Sequence, residues 1–529
     1  MVPQVEPENN KVQKYPTMPE VVEELKKVSN IGFPILTMSL VNYLRNMAMV
    51  ICMGRLGSLE LAGGALAIGF TNIIGYSLLS GLAMGMDPLC SQAIGSQNHA
   101  LAFLTLQRTI FILLFASLPI SLLWFNLQPL MLILNQNPDI TKIATIYCKF
   151  AIPDLLANSL LHPLRIFLRS KSITWPLMWS NLLAMFLHIP ITIFLTFKLS
   201  LGVQGIAISN FITNFITLFL LLLYLYFNTN FNKESYYSNS NFTTNLKTPF
   251  LPKSWPTFFT NSTWEGWGVL IRLSIQSCLA VCLEWWWYEF MTLLAGYLPN
   301  PKVALATSAI VIQTTSLMYT IPSALSASVS TRVGNELGAE RPEKAKLAAS
   351  VAVSLALITS LVGLVGTTFG RGAWGRVYTH DKEILELTMA VLPIIGVCEL
   401  ANCPQTTSCG ILRGCARPGI GAAINFYAFY LVGAPVAVVL GFVWKLGFLG
   451  LCYGLLAAQI ACVVSILTVS ASPFQKPYFR NSASPPSKTS FQILPPTTTP
   501  SPTSSDRPGS GSSGCSVGPP PVAFVSYLV

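Results

Sequence analysis

Apolar residues run along this chain in long blocks separated by short polar breaks. Twelve blocks stand near residues 31–54, 64–90, 103–125, 143–163, 175–197, 203–227, 268–298, 303–329, 346–369, 387–411, 420–444 and 448–470. A helix needs about 20 apolar residues to cross a bilayer, and these blocks reach that length. Barrel strands would be about 10 residues long and would alternate polar with apolar, so the pattern predicts helices. The expected fold is an all-α integral membrane protein with twelve transmembrane helices. The longest internal break, 228–262, is rich in Asn, Ser and Lys and then carries Pro249, Pro252 and Pro256. It reads as a linker between two halves of six spans each. The predicted organisation is a cytosolic segment at 1–30, an N-terminal six-helix lobe at 31–227, a cytosolic linker at 228–267 and a C-terminal six-helix lobe at 268–470. The remainder, 471–529, is rich in Pro, Ser, Thr and Gly and is expected to be a disordered cytosolic tail.

The halves repeat each other. Leu156-Ala157-Asn158 recurs as Leu400-Ala401-Asn402, Leu168-Arg169 as Leu412-Arg413, and Asn181 as Asn425, all at an offset of 244 residues. Gly95 recurs as Gly338 at 243, and Pro190 as Pro435 at 245. An ordered series at a near-constant offset marks an internal duplication. Six spans per half give both copies the same orientation, which is a parallel repeat about an axis along the membrane normal. Such duplication favours a transporter, in which two lobes rock about a shared cleft. Prolines inside the spans, such as Pro34, Pro153, Pro322 and Pro404, loosen helices locally.

Composition narrows the class further. Of 529 residues, 52% are hydrophobic and 10% charged, against about 25% charged in soluble domains, which removes the soluble-enzyme classes. The net charge of +11 is explained by the positive-inside rule rather than by nucleic acid. With the N-terminus inside, the cytoplasmic segments hold 21 of the 32 Lys and Arg residues, the outer segments 8 and the spans 3 (Arg45, Lys149 and Arg272). The first apolar run begins at Ile31 and is too long for a signal-peptide core, so the first span is expected to be the insertion signal. The triplets Asn241-Phe-Thr and Asn261-Ser-Thr would then face the cytosol and stay unglycosylated. The twelve Cys are scattered without zinc spacing and the four His are dispersed, so no metal site is expected. No phosphate-binding Walker motif is present, and neither an enzyme nor a cofactor is indicated.

Candidate chemistry lies in acids inside apolar runs. Glu284 and Glu289 flank Trp285-Trp286-Trp287-Tyr288 with no Lys or Arg between them. A charge within a span costs several kcal/mol and by default marks function. Five residues separate the two acids, roughly 140° around a helix, so they line a cavity rather than make one point site. Glu399 lies in the tenth block, and Asn402, three residues on, shares its face and is placed to orient it. Tyr288 offers a π face to a cation. Gln92, Gln313, Tyr319 and Asn42 are further candidate cavity groups, with interhelical hydrogen bonding as the alternative. Asp154 is one position off the repeat equivalent of Glu399, and a salt bridge with Arg165 or Lys149 is the favoured account of it.

Several stretches are similar to one known family. Met53-Gly54-Arg55-Leu56-Gly57-Ser58-Leu59-Glu60-Leu61-Ala62, Ser91-Gln92-Ala93-Ile94-Gly95, Glu284-Trp285-Trp286 with Tyr288-Glu289, Arg332-Val333-Gly334-Asn335-Glu336-Leu337-Gly338-Ala339, and Cys398-Glu399-Leu400-Ala401-Asn402 with Gly410-Ile411-Leu412-Arg413-Gly414 resemble the plant branch of the MATE (multidrug and toxic compound extrusion) family over about residues 25–470. Arg45 departs from the usually apolar first span of that family. The resemblance implies a V-shaped bundle of two six-helix lobes that exports organic compounds, xenobiotics or plant metabolites, in exchange for protons or, in some relatives, sodium. It places the cavity carboxylates on Glu284, Glu289 and Glu399. It implies a monomer in the plasma membrane or an endomembrane (vacuole, Golgi or late endosome) of a plant cell. A lipid-linked-saccharide flippase of the related superfamily is the alternative, and the three acids argue against it. Burial favours the neutral form of a carboxylate. A proton and a cationic substrate would therefore compete for one acid, with Glu399 the first choice.

Overall fold

The computed structural model describes residues 16–133, 136–238 and 267–471, and these fold as helices joined by short turns. The predicted tail, both glycosylation triplets and most of the predicted linker lie outside the described residues. The membrane helices are α1 (Met18–Leu56), α2 (Leu59–Gly95), α3 (His99–Phe125), α4 (Pro138–Ser170), α5 (Trp175–Lys198) and α6 (Val203–Asn228) in the first half. The second half holds α7 (Trp267–Ala295), α8 (Pro301–Gly338), α9 (Pro342–Phe369), α10 (Lys382–Gly414), α11 (Pro418–Val443) and α12 (Phe448–Ile466). Eleven are apolar enough to cross a membrane by composition alone. The twelfth, α4, is 33 residues long and carries Lys142, Lys149, Asp154 and Arg165, which dilute its apolar signal.

Helix ends differ from the apolar blocks where polar residues have partners. α1 starts at Met18, well before the apolar run, because Glu20 accepts from the Thr17 backbone N–H at 2.9 Å and caps the first turn. Glu24 then enters a buried ion pair with Arg332, at 2.7 Å. α6 stays helical to Ser238, beyond the expected end of its span. Arg165 and Arg169, read from sequence as cytoplasmic loop residues, belong to α4.

The duplication is visible in the irregularities as well as the regular helices. Short helices follow α3 and α9, at Leu127–Ile133 and Arg371–Tyr378. Wide π-helical turns occur at Phe194–Lys198 in α5 and at Val439–Val443 in α11. Both pairs are displaced by 244–245 residues, the offset of the sequence repeat. In α2 a π turn at Asn72–Tyr76 matches the break in α8 at Tyr319. Each half has its own apolar core. One centres on Trp124, Leu79 and Tyr147, the other on Trp287, Phe429 and Leu455.

The halves meet through α2 and α8, and through the α1–α8 and α2–α7 pairs. Their closest approach is made by matched glycines. A Cβ on Gly95 would collide with the Asn335 carbonyl oxygen, and a Cβ on Gly338 would collide with that of Gln92. Gln92 Nε2 donates to Gly414 O at 3.1 Å, and Asn335 Nδ2 donates to Ser170 O at 3.2 Å. These are the same bond written twice under the repeat. Asp87 lies beside this seam, fully buried, with Arg169 at 2.9 Å, Arg413 at 3.0 Å and the Ser330 hydroxyl at 2.8 Å. One carboxylate thus ties both halves together.

Candidate functional site

In the second half, α7, α8 and α10 bring Glu284, Tyr319 and Glu399 together. Glu284 and Glu399 are 7% and 5% exposed, and the charge of Glu399 acts on Glu284. Tyr288, one turn along α7 from Glu284, feels both acids and Tyr319. Asn402 Nδ2 donates to Glu399 Oε2 at 3.1 Å, as the three-residue spacing on one helix face predicts. Asn402 Oδ1 in turn accepts from Thr406 at 3.4 Å and Gln459 at 3.5 Å, which fixes the amide. Gly363 of α9 stands opposite, where an added Cβ would sit at ordinary contact distance, 3.5 Å, from Glu399 Cγ. The α7 backbone is held from α11, where Asn425 Nδ2 donates to Ala280 O at 2.9 Å and Tyr430 OH to Leu283 O at 3.1 Å.

The remaining sequence candidates fall elsewhere. Glu289 is half-buried on another face of α7, and Glu399 does not act on it. Trp287 is sealed in the core against Phe290, Phe429 and Tyr430. Trp286 Nε1 donates across to Ile73 O at 3.2 Å. Gln92 is bound into the seam between the halves rather than lining a cavity, because the glycine contact brings it against the end of α10. Asn42 accepts from Asn181 at 3.3 Å. Gln313 is half-buried on α8, and among the described residues no hydrogen bond joins it to these networks.

The first half holds a second polar cluster that sequence reasoning did not assemble. Asp154, 1% exposed, accepts from Tyr76 OH at 2.6 Å, Asn214 Nδ2 at 2.6 Å and Asn210 Nδ2 at 3.1 Å. Arg45 Nη1 donates to Asn214 Oδ1 at 2.9 Å. The expected salt bridge from Asp154 to Arg165 or Lys149 is absent among the described residues. Arg165 starts three turns further along α4, about 16 Å of axial rise. Lys149 points to another face, with its ammonium 4.6 Å from the Phe125 ring centroid. The repeat was the available signal for this cluster. Tyr76 is displaced from Tyr319 by 243 residues and Asn158 from Asn402 by 244.

Comparison with known proteins decides what this architecture is. The family model described as MatE matches residues 34–194 and again residues 277–439, once on each half. The chain belongs to the MATE family. It is 68% identical over 463 residues to Protein DETOXIFICATION 55 of Arabidopsis thaliana, covering 87% of this chain and 90% of that one. It is 48% identical to Protein DETOXIFICATION 51 of the same plant, over 84% of this chain and 80% of the relative. Among solved structures, the eukaryotic MATE transporter AtDTX14 superposes with a TM-score of 0.79 at 28% identity, over 88% of this chain and 99% of that one. The protein is therefore a multi-pass membrane transporter of the MATE type, a family that moves small organic substrates. It shares the two-lobe bundle expected from its sequence.

Proposed function

We propose that this MATE transporter exports organic compounds by exchanging them for protons, with Glu399 and Glu284 carrying the exchange. The observation that supports this reading most directly is the acid pair itself. Two carboxylates share one buried interior, and the only hydrogen bond among the described residues to either of them comes from Asn402. Like charges so placed resist joint ionisation, so the pair takes up a proton readily and titrates as a unit. A cationic or amphipathic substrate stabilises the ionised pair, and a proton displaces it. Tyr288 and Tyr319 supply π faces and hydroxyls at the same place.

In this reading the N-terminus, the 228–267 linker and the 471–529 tail lie in the cytosol, and the Gly95–Gly338 seam closes the cytosolic end. The protein works as a monomer in the plasma membrane or an endomembrane of a plant cell. Reconstitution in proteoliposomes tests the coupling. Uptake of a panel of organic cations is measured with an imposed pH gradient, with a sodium gradient, and with neither. Uptake driven by the pH gradient alone is expected. Uptake that responds only to sodium would replace the proton with sodium in the same site.

A further inference from the structure

A pair of thiols lies where the two halves meet, and the proposed exchange makes no use of it. Eleven cysteines fall among the described residues, all of them free. Cys278 and Cys282 of α7 make the only sulfur–sulfur hydrogen-bond contact among them, at 3.8 Å. They are 8% and 1% exposed. A spacing of four residues puts both on one helix face. That face is turned to α2, in the other half. Cys278 Sγ lies 3.8 Å from Leu78 O, and Cys282 Sγ lies 3.7 Å from Ser77 Oγ. The fit is close, since a Cβ on Gly81 would stand 2.7 Å from Cys278 Cα.

The pair cannot close on itself. Cβ atoms four residues apart on a helix stand about 5–6 Å apart. A disulfide needs about 3.5–4.5 Å. Oxidation would have to unwind α7, so both thiols stay free while the helix is intact. A single inserted atom bridges the gap if it takes two sulfurs side by side. Zinc asks for four ligands, and among the described residues no third His, Cys, Asp or Glu completes a metal set here. Two-coordinate Cu(I) is soft enough for thiolates, but it sets its sulfurs on opposite sides of the ion. Two sulfurs 3.8 Å apart on one helix face do not offer that arrangement. Trivalent arsenic is pyramidal. It holds two sulfurs on one side and keeps a third position for a hydroxyl or an organic group.

We propose that Cys278 and Cys282 form a dithiol site for trivalent arsenicals, and that filling it arrests transport. The reaction is a ligand exchange between an arsenical R–As(OH)2 and the two thiols. Two As–O bonds and two S–H bonds break, two As–S bonds form, and the protons leave with the hydroxyls as two water molecules. Arsenic stays trivalent, so no oxidant or reductant is needed. The bridged sulfurs lose their contacts with Ser77 and Leu78. The arsenic and its substituent then fill the space in which α2 packs on α7. Alternating access remakes contacts between the lobes in each cycle, and a wedge in this joint blocks the remaking. A small neutral arsenical enters when the joint parts. None of this depends on which ion drives transport.

The test uses the full chain in proteoliposomes, with phenylarsine oxide as the probe. Uptake of organic cations is measured alongside the mass of the protein and of its peptides. Phenylarsine oxide is expected to abolish wild-type uptake and to add one phenylarsenic group to the peptide that holds both cysteines. The dithiol 2,3-dimercaptopropanol should restore uptake, and an excess of the monothiol 2-mercaptoethanol should not. Cys278→Ser and Cys282→Ser each forfeit the second, intramolecular bond, so the concentration for half inhibition should rise about a hundredfold. Cys148→Ser, at a buried cysteine of α4, should leave the sensitivity unchanged. Inhibition as strong in both α7 variants as in the wild type would overturn the site, and so would arsenic mapped to other cysteines. Arsenic bound at the pair with uptake unimpaired would overturn the arrest. The mass requires no transport, so an inactive α7 variant still supports the site by losing the adduct or overturns it by keeping it. A wild type that moves none of the cations counts against the proposed exchange, while its adduct still supports or overturns the dithiol site.

Discussion

The two lobes hold a buried acid on corresponding helices, yet they treat it differently. In the first lobe Asp154 accepts from a phenol and two amides, with two arginines nearby. In the second, Glu399 accepts from Asn402 alone among the described residues and shares its interior with a second acid, Glu284. The framework is common to both, since Tyr76 corresponds to Tyr319 and Asn158 to Asn402. What differs is how completely the negative charge is satisfied. The duplication thus separates an acid saturated by hydrogen-bond donors from one that has a single donor and an acid neighbour.

The largest expected effect breaks this contrast at Glu399. Glu399→Gln keeps the size and hydrogen bonding of the side chain but cannot titrate. It should abolish pH-gradient-driven uptake and flatten the pH profile, while binding of a cationic substrate weakens by about 1–3 kcal/mol. Full gradient-driven uptake with an unchanged pH profile would sink the coupling role. Glu284→Gln should resemble it if, as proposed, the two acids share the exchanged proton.

Next in size is the seam, where Asp87 of the first lobe corresponds to Ser330 of the second. Asp87→Asn leaves Arg169 and Arg413 buried without their shared partner. Breaking a buried pair in this way costs about 3–5 kcal/mol. The closed contact should loosen, seen as a lower yield of cross-links between cysteines placed at Gln92 and Asn335 in a background lacking the native cysteines. An undiminished yield would mean that glycine packing alone holds the seam.

Asp154→Asn addresses the acid saturated by donors. It removes charge-assisted contacts to Tyr76 and Asn214, for a loss of about 1–3 kcal/mol in thermal unfolding, and should leave the pH profile of transport in place. A stable Asp154→Asn protein that no longer responds to the pH gradient would move the coupling into the first lobe.

Much of the acid pair was legible in the sequence, and little of the Asp154 cluster. Glu284 and Glu399 stand out because an acid inside an apolar run by default marks function. The Asn402 contact followed from a three-residue spacing on one helix. The repeat offset placed the lobes before any coordinates did. By contrast, Tyr76 and Asp154 are 78 positions apart, Arg45 and Asn214 are 169, and Arg332 and Glu24 are 308. Such pairings depend on which helix faces turn inward, and helical periodicity is weak in spans that are apolar all round. The π turns were equally hidden, since they change the backbone without a residue type that announces them. Arg45 was noticed as a departure from the family pattern. Only its placement beside Asn214 gives the departure a chemical meaning.

The smallest effect expected is that of Glu289→Gln, and it tests whether position on a helix, rather than presence in a span, decides a role. Glu289 is on the same helix as Glu284, in the same apolar run, and sequence alone lists both as cavity acids. Five residues turn it roughly 140° away. It is half-buried, and neither Glu399 nor Glu284 acts on it. Nothing in its surroundings couples it to the proposed acid pair. Its removal should therefore change gradient-driven uptake less than about threefold, under 1 kcal/mol, with no displacement of the pH profile. The comparison is made in one assay with Glu284→Gln, so that expression and orientation in the vesicles cancel. If Glu289→Gln were as damaging as Glu284→Gln, the exchanged proton would be spread around α7, and the acid pair would be too narrow a description of the site.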